Sequence, residues 1–219
     1  MNNEIINTLI IYSADEGKLK ILLKKNQDEP YKGYWILPNK KLISNTSIEK
    51  NLKSIFKEAT NIECDKFVQG KIYDEKTSSG TALTITNICI TDKDIVNYKK
   101  KEDYDWFDVD NLPKIGFNHK TIINDSKQEM KEKIIYNFSN ILLDIFKSDF
   151  TLSELQRFYE NILDKKIDRR NFRKKVITQK LVIDTGEKTK SSAGRPGKLY
   201  IFNKDNMEGK IIWTKKVGD

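Results

Sequence analysis

The chain has 219 residues, of which 37% are apolar and 33% charged, so it can form one or two folded domains and is unlike a disordered chain. Two cysteines without a CxxC spacing and a single histidine argue against a disulfide framework and a His/Cys zinc site, and they favour a cytoplasmic protein. The formal charge of +8 suggests a polyanionic partner, and no apolar stretch approaches the roughly 18 residues of a membrane span.

The first half of the chain combines strand patterns with one helix pattern. Apolar residues at spacings of three and four predict an amphipathic helix from Ser47 to Ala59. A turn at Gly17 would join the first two strands. Strand patterns occupy residues 5–12, 19–25, 66–73, 81–91 and 104–107. Strands before and after a single helix predict a mixed α/β (α+β) domain.

The second half begins with helix patterns and ends with a hairpin. Apolar spacing predicts helical structure across residues 119–147, as one helix or as two with a break near Asn137 to Asn140. Thr151 and Glu154 form a capping box that starts the next helix, and Asp168 is a good N-cap for a helix from Arg169 to about Lys180. Strands at 181–184 and 198–202 then flank a polar hairpin tip. This order is that of a winged helix-turn-helix domain.

The helix that starts at Arg169 has one basic, polar face. On a helical wheel Phe172 and Val176 fall together on the core side, with Asn171 and Lys174 opposite them. Arginine, asparagine and lysine are the side chains that contact guanine, adenine and phosphate in DNA. From this helix and the hairpin we predict DNA contacts by Arg169, Arg170, Asn171, Arg173, Lys174, Thr178, Lys188, Lys190, Arg195 and Lys198. Arg173 lies nearer the apolar edge, where it would reach a phosphate or pair with a carboxylate of the preceding helix.

Charge is distributed unevenly along the chain. Residues 1–118 hold 18 basic and 18 acidic side chains, whereas residues 119–219 hold 22 basic and 14 acidic ones and carry the whole excess. The excess predicts two domains, 1–118 and 119–219, the second of which binds nucleic acid. A solvated basic surface would give the same count, so charge alone leaves both interpretations open.

The segment Trp35-Ile36-Leu37-Pro38, followed by a loop and the helix from Ser47, resembles a Nudix box. In Nudix hydrolases this box holds Mg²⁺ against a diphosphate with several glutamates. The resemblance places the four glutamate positions of the box on Thr46, Ile55, Glu58 and Ala59, its arginine on Ser54, and its first and last glycines on Lys40 and Asn61.

Only one carboxylate of the four therefore remains, at Glu58. Mg²⁺ prefers several oxygen ligands, so we predict no metal site, no cofactor and no catalytic residue. Glu58 then fits an exposed helix residue better than a remnant metal ligand. Lys40 and Lys41 lie where the metal-facing loop would be, and they either meet an anionic ligand or are exposed to solvent. We predict effector contacts by Lys25, Trp35, Lys40, Lys41 and Glu58.

Residues 148–182 and the segment Gly194–Phe202 resemble the C-terminal domain of the Nudix-related transcriptional regulators, the NrtR family. The linker of that family is matched by Trp106-Phe107, Leu112-Pro113 and Phe117-Asn118-His119. The resemblance therefore covers residues 5–203 and implies a Nudix-like N-terminal domain joined to a winged helix-turn-helix domain. We expect His119 to pack or hydrogen-bond between the domains rather than to act as a catalyst.

The resemblance also implies a function. It predicts a dimeric bacterial repressor that binds a palindromic operator in double-stranded DNA and senses a small effector in its degenerate Nudix domain. ADP-ribose, with control of NAD-metabolism genes, is the expected effector. A sugar such as arabinose is the alternative, because Asn118 replaces an aspartate of the family and Thr77–Gly80 replaces an arginine-containing segment. A divergent Nudix hydrolase and an RNA-binding module are further alternatives.

Overall fold

The structure is a computed structural model, and it describes residues 4–15, 17–77, 80–91, 103–136, 142–143, 145–146, 149–189 and 196–206. The strands are β1 (Glu4–Asp15), β2 (Lys18–Lys25), β3 (Trp35–Ile36), β4 (Asn39–Lys41), β5 (Val68–Thr77), β6 (Gly80–Ile90), β7 (Tyr104–Asp108), β8 (Val182–Lys188) and β9 (Lys198–Phe202). The helices are α1 (Ile48–Thr60), α2 (His119–Tyr136), α3 (Leu152–Leu163) and α4 (Arg169–Thr178), and a short 3₁₀ helix covers Lys204–Asn206.

The chain forms two compact units. The first contains residues 1–13 and 20–129, and the second contains residues 14–19 and 130–219. No helix in the described ranges is long and apolar enough to cross a membrane.

The first unit contains a mixed sheet with the strand order β3-β2-β1-β6-β5, in which β4 also pairs with β1 and β7 with β2. Strands β1 and β6 run parallel, with Ile11 opposite Cys89. One face of the sheet packs against α1 through Leu9, Ile11 and Leu22. The mixed α/β prediction is confirmed, but β3 and β4 were not predicted, because strands of two and three residues are too short to show a period of two.

Helix α1 has the bounds that its capping residues dictate. Ser47 is the N-cap, and its hydroxyl accepts a hydrogen bond from the Lys50 N–H at 3.2 Å. The helix ends at Asn61, which adopts the left-handed conformation with φ 61° and donates its N–H to Lys57. Ile55 and Phe56 are buried in the core. The amphipathic helix is therefore confirmed, and Asn61 has the backbone conformation that favours glycine.

The first turns of helix α2 belong to the first unit. His119 is buried, and its Nδ1 accepts a hydrogen bond from the Leu37 N–H at 2.9 Å. Further along the helix, the Ser126 hydroxyl lies 2.6 Å from the Tyr12 hydroxyl. These contacts place the boundary at residues 129 and 130, so the division after Asn118 that the charge pattern suggested falls within the first unit. They also make His119 a hydrogen-bonding residue inside that unit.

The second unit contains the predicted helix, turn, helix and hairpin. The capping box of α3 is present, with Thr151 Oγ1 and Glu154 Oε2 each accepting a backbone hydrogen bond. Asp168 caps α4 by accepting from the Asn171 N–H at 2.8 Å. Strands β8 and β9 pair antiparallel, with Lys188 opposite Lys198, so β8 is longer than the predicted 181–184. The predicted break at 137–140 lies outside the described residues.

The turn between β1 and β2 belongs to the second unit and packs against α3. The Asn161 Nδ2 atom donates a hydrogen bond of 2.7 Å to the Gly17 carbonyl. Gly17 has φ +80°, and a Cβ atom there would lie 2.6 Å from the Arg157 Cβ and 2.8 Å from the Glu154 carbonyl oxygen. Both the backbone conformation and the close approach therefore require glycine.

We expect Gly17→Ala to destabilise the protein more than Gly186→Ala does. Gly186 has φ +79° with no atom within 4 Å of an added Cβ, so alanine there should cost only the left-handed strain of about 1–2 kcal/mol. At Gly17 overpacking against α3 should add about 1–3 kcal/mol to the same strain. Urea unfolding followed by circular dichroism measures the difference, and equal losses would contradict the contact between Gly17 and α3.

Candidate effector pocket and nucleic-acid interface

The first unit has an open pocket of about 540 Å³ beside helix α1. One wall is the exposed side of α1, another comes from β4, and the third from the loop that follows the helix. The lining residues are Lys40, Lys53, Ser54, Lys57, Glu58, Asn61 and Glu63. The pocket therefore coincides with the segment that resembles a Nudix box, and every residue that lines it is polar or charged.

The Glu58 carboxylate is the centre of a cationic cluster in this pocket. Lys40 Nζ lies 2.8 Å from Glu58 Oε2 and also donates to the Ser54 hydroxyl at 2.8 Å. On the other carboxylate oxygen, Lys24 Nζ lies at 3.4 Å and the Tyr104 hydroxyl donates at 3.0 Å. Two ammonium groups thus face one carboxylate. Glu58 is therefore a partly exposed residue of the pocket wall, and it is paired with lysines rather than free in solvent.

These contacts determine the ionisation of Glu58. Partial burial alone would raise its pKa, but hydrogen bonds from Lys40 and Tyr104 and the charges of both lysines lower the pKa to about 2. The carboxylate is therefore charged at neutral pH, and its charge is compensated by lysine side chains of the same unit.

The other lysines of the pocket also have carboxylate partners. Lys53 Nζ lies 2.8 Å from Glu49 and 2.9 Å from Asp65, and Lys57 Nζ lies 2.5 Å from Glu63. Because each positive charge is matched by a nearby negative one, the pocket is polar but has little excess charge. An anionic ligand would have to compete with these carboxylates for the ammonium groups.

The structure brings together only two of the five predicted effector residues. Lys40 and Glu58 meet in the pocket, whereas Lys41 pairs with Glu4 at 2.5 Å. Lys25 lies opposite Trp35 across β2 and β3. Because side chains alternate along a strand, Lys25 is on the face of β2 opposite to Lys24.

Sequence reasoning missed Lys24 as a partner of Glu58. The signal was the period of two in β2, which places Lys24 on the same face as the core residue Leu22. Trp35 contacts Phe107 on the other side, with 4.7 Å between the ring centroids. Lys25, Trp35 and Lys41 stay predictions as effector contacts.

The positions aligned with the other Nudix glutamates have different environments. Ile55 and Ala59 are 2% and 1% exposed and pack in the core, so of these three glutamate positions in α1 only Glu58 lines the pocket. Among the described residues, no group of three or more His, Cys, Asp or Glu side chains is arranged to hold a metal ion.

Helix α4 presents a basic surface in the second unit. Phe172 and Val176 are 1% and 0% exposed, as the wheel predicts. All the predicted contact residues of this helix are exposed, namely Arg169, Arg170, Asn171, Arg173, Lys174 and Thr178. Within the described ranges, no carboxylate forms an ion pair with the arginines or with Lys174 of this helix. These cations therefore remain available to an anionic partner.

Arg173 is exposed, and the described carboxylates of α3 have other partners. Glu154 accepts from the Thr151 N–H, and Glu160 Oε1 accepts from the Ile167 N–H at 2.9 Å. Of the two roles that the sequence left open for Arg173, the structure favours contact with an anionic partner over a pair with α3.

The hairpin of β8 and β9 adds basic side chains next to α4. Lys188 is exposed, and Lys198 Nζ lies 2.6 Å from Asp184 Oδ2, which raises the pKa of Lys198, whereas the charge of Arg173 lowers it. Lys190 and Arg195 lie outside the described residues.

Residues 143–202 match the family model of the NrtR DNA-binding winged helix domain. The second unit therefore contains a winged helix domain of the NrtR type. The match includes α3, α4 and the hairpin, and the last two present the basic surface.

Whole-chain comparisons agree with this assignment. The chain is 25% identical to the ADPR responsive transcriptional repressor NtrR of Acinetobacter baylyi, over 89% of this chain and 80% of that protein. It shares its fold with Shewanella oneidensis NrtR crystallised with a 27mer DNA, with a TM-score of 0.73, 24% identity and coverage of 94% of this chain and 97% of that one.

The first unit has its own structural relative. The NUDIX domain of Shewanella oneidensis NrtR, crystallised with ADP ribose, matches with a TM-score of 0.51 and 16% identity over 59% of this chain and 90% of that one. The Nudix-like fold predicted from the sequence is confirmed. The relative that matches over 89% of this chain is a transcriptional repressor.

We expect Glu58→Gln to change the pH dependence of stability. Because the folded-state pKa of Glu58 is about 2, below its ordinary 4.5, the charged form stabilises the fold fully above pH 4.5, and this contribution is lost as the pH falls towards 2. The side chain is 39% exposed, so the loss at pH 7 should be at most about 1 kcal/mol.

Urea unfolding between pH 7 and pH 3 tests this, with Glu49→Gln as the control. Glu49 lies on the same helix and also pairs with a lysine, but its side chain is 69% exposed, so its removal should matter less. A stability difference between Glu58→Gln and the unchanged protein that does not shrink below pH 4.5 would contradict the network.

Proposed function

We propose that the protein is a bacterial transcriptional repressor that binds double-stranded DNA through its winged helix and responds to ADP-ribose in its Nudix-like unit. The observation that carries this proposal is the exposed basic face of α4 in a domain of the NrtR type. A helix of this kind enters the major groove, where arginine and asparagine contact base edges and lysine contacts phosphate. Because DNA is the partner, the protein acts in the cytoplasm.

The domains divide these tasks. Residues 1–118 sense the effector, and residues 119–219 bind DNA, although the first turns of α2 are packed into the sensing unit. The resemblance to NrtR regulators leads us to propose a homodimer that binds a palindromic operator controlling NAD-metabolism genes. Two recognition helices related by a twofold axis would then meet successive major grooves on one side of the duplex.

The effector pocket works without a divalent metal. A Nudix metal site needs several carboxylates, and the aligned positions supply only Glu58, which is already paired with Lys24 and Lys40. The Lys40 ammonium therefore supplies the positive charge that faces Glu58. A diphosphate that enters the pocket would replace Glu58 as the partner of the ammonium and hydroxyl groups. No bond to phosphorus would be broken.

The effector is tested by titration of ADP-ribose onto the protein bound to an operator selected from random DNA. Effector binding should lower operator affinity about 5–150-fold, the range of a typical allosteric coupling. The response should be the same with EDTA as with Mg²⁺, because the aligned Nudix positions supply a single carboxylate, Glu58, which already pairs with lysines. Arabinose serves as the comparison ligand. A response to arabinose alone would exclude ADP-ribose as the effector, and release of AMP with Mg²⁺ would show a hydrolase.

The interface is tested by two substitutions with different expected effects. Arg170→Ala removes a side chain placed to contact a base, so it should cost about 1–3 kcal/mol on the operator and little on random DNA. Lys188→Ala removes a phosphate contact, so it should weaken both duplexes alike and reduce the salt slope by about one unit. Fluorescence anisotropy at several salt concentrations measures both.

Lys57→Ala is the matched control for charge. It removes one positive charge from the first unit, where Lys57 pairs with Glu63, and should leave DNA binding unchanged. Equal losses for Arg170→Ala on operator and random DNA would contradict base contact by α4. Equal effects of Lys57→Ala and Lys188→Ala would show that net charge, and not the winged helix, determines the affinity.

A further inference from the structure

The two cysteines of the chain lie next to each other in the first unit. Cys64 is in the loop after α1, and Cys89 is on β6, and their sulfur atoms are 3.2 Å apart. A disulfide bond has a sulfur–sulfur distance of about 2.05 Å, so the sulfur atoms need to approach by little more than 1 Å. The sequence separation of these residues gave no indication of the contact, which arises only because the loop folds onto the sheet.

The surroundings hold the two thiols in this arrangement. Cys89 is 1% exposed and belongs to the core beneath α1, against which Cys64 packs from the side. The residues on either side of Cys64 are both tied to α1, Glu63 by Lys57 at 2.5 Å and Asp65 by Lys53 at 2.9 Å. Ion pairs on both sides of Cys64 therefore connect the loop to α1, and the Cys64 sulfur faces the Cys89 sulfur.

We propose that Cys64 and Cys89 form a reversible disulfide when the protein meets hydrogen peroxide, which makes the effector unit sensitive to oxidation. Cys64 is half-buried and reacts first, because Cys89 is enclosed in the core. The Cys64 thiolate attacks a peroxide oxygen, so a sulfur–oxygen bond forms, the oxygen–oxygen bond breaks and hydroxide leaves as water after taking up a proton.

The second step closes the disulfide. The Cys89 thiolate attacks the Cys64 sulfur, the sulfur–sulfur bond forms, the sulfur–oxygen bond breaks and a second hydroxide leaves as water. Two thiols are thereby oxidised by two electrons and one peroxide is reduced to two waters. A dithiol reductant reverses the reaction by exchange.

The position of the bond relates it to the effector pocket. The same loop supplies Asn61 and Glu63 to the pocket wall, and β6 is a central strand of the sheet. A disulfide would therefore fix this wall to the sheet, in addition to the ion pairs with α1. We expect slower amide hydrogen exchange at residues 61–67 in the oxidised protein.

The test uses the full chain treated with hydrogen peroxide and then denatured for thiol titration and intact mass measurement. We expect the number of reactive thiols to fall from two to none, the mass to fall by two hydrogen atoms, and the melting temperature to rise by about 5–10 °C because the unfolded chain is cross-linked. Dithiothreitol should reverse all three changes.

Single-cysteine variants distinguish the disulfide from other oxidation. Cys89→Ser should leave peroxide-treated Cys64 as a sulfenic acid that dimedone traps, and Cys64→Ser should react far more slowly because Cys89 is buried. Neither variant should gain thermal stability on oxidation, and Cys64→Ala serves as a second variant if serine disturbs the fold. Two thiols that remain after peroxide treatment, or a disulfide only between molecules, would overturn the proposal.

Discussion

The ion pair between Lys40 and Glu58 is the interaction on which the character of the first unit depends. Helix α1 buries one side against the sheet, and the burial of Ile55 and Ala59 uses two positions at which a Nudix box has glutamates. The remaining carboxylate, Glu58, would by itself repel an anionic ligand. Two lysines placed against it remove that repulsion, at distances of 2.8 and 3.4 Å. The pocket therefore lies at the position of a Nudix box in the fold, but its charge balance differs from that of a Nudix metal site.

The two units treat their cations differently. In the first unit, the described lysines of the pocket lie beside carboxylates, so their charge is compensated within the protein. In the second unit, α3 uses Glu154 and Glu160 for its own cap and turn, and the arginines of α4 extend into solvent. Excess positive charge destabilises the folded state through repulsion. It favours binding of a polyanion, because binding releases the counterions of the nucleic acid. In both units, the placement of charged side chains therefore fits the proposed function.

Much of the second unit could be predicted from local signals. The capping residues Thr151 and Asp168 fix where α3 and α4 begin, because their side chains accept hydrogen bonds from nearby backbone N–H groups. The period of Phe172 and Val176 then fixes which face of α4 is exposed. The candidate effector pocket was harder to predict, because its residues come from β4, α1 and the following loop, and the fold decides which of them meet.

The sequence by itself determined the helices, their buried faces and the charge difference between the two halves, and it predicted a Nudix-like box with one glutamate, because each depends on residues that are close along the chain. Only the tertiary structure decided that Lys24 and not Lys25 faces Glu58, that α2 begins inside the first unit, and that Cys64 meets Cys89. Those contacts depend on strand order and on how a loop folds back, and side chains distant in sequence carry no local pattern that reveals them.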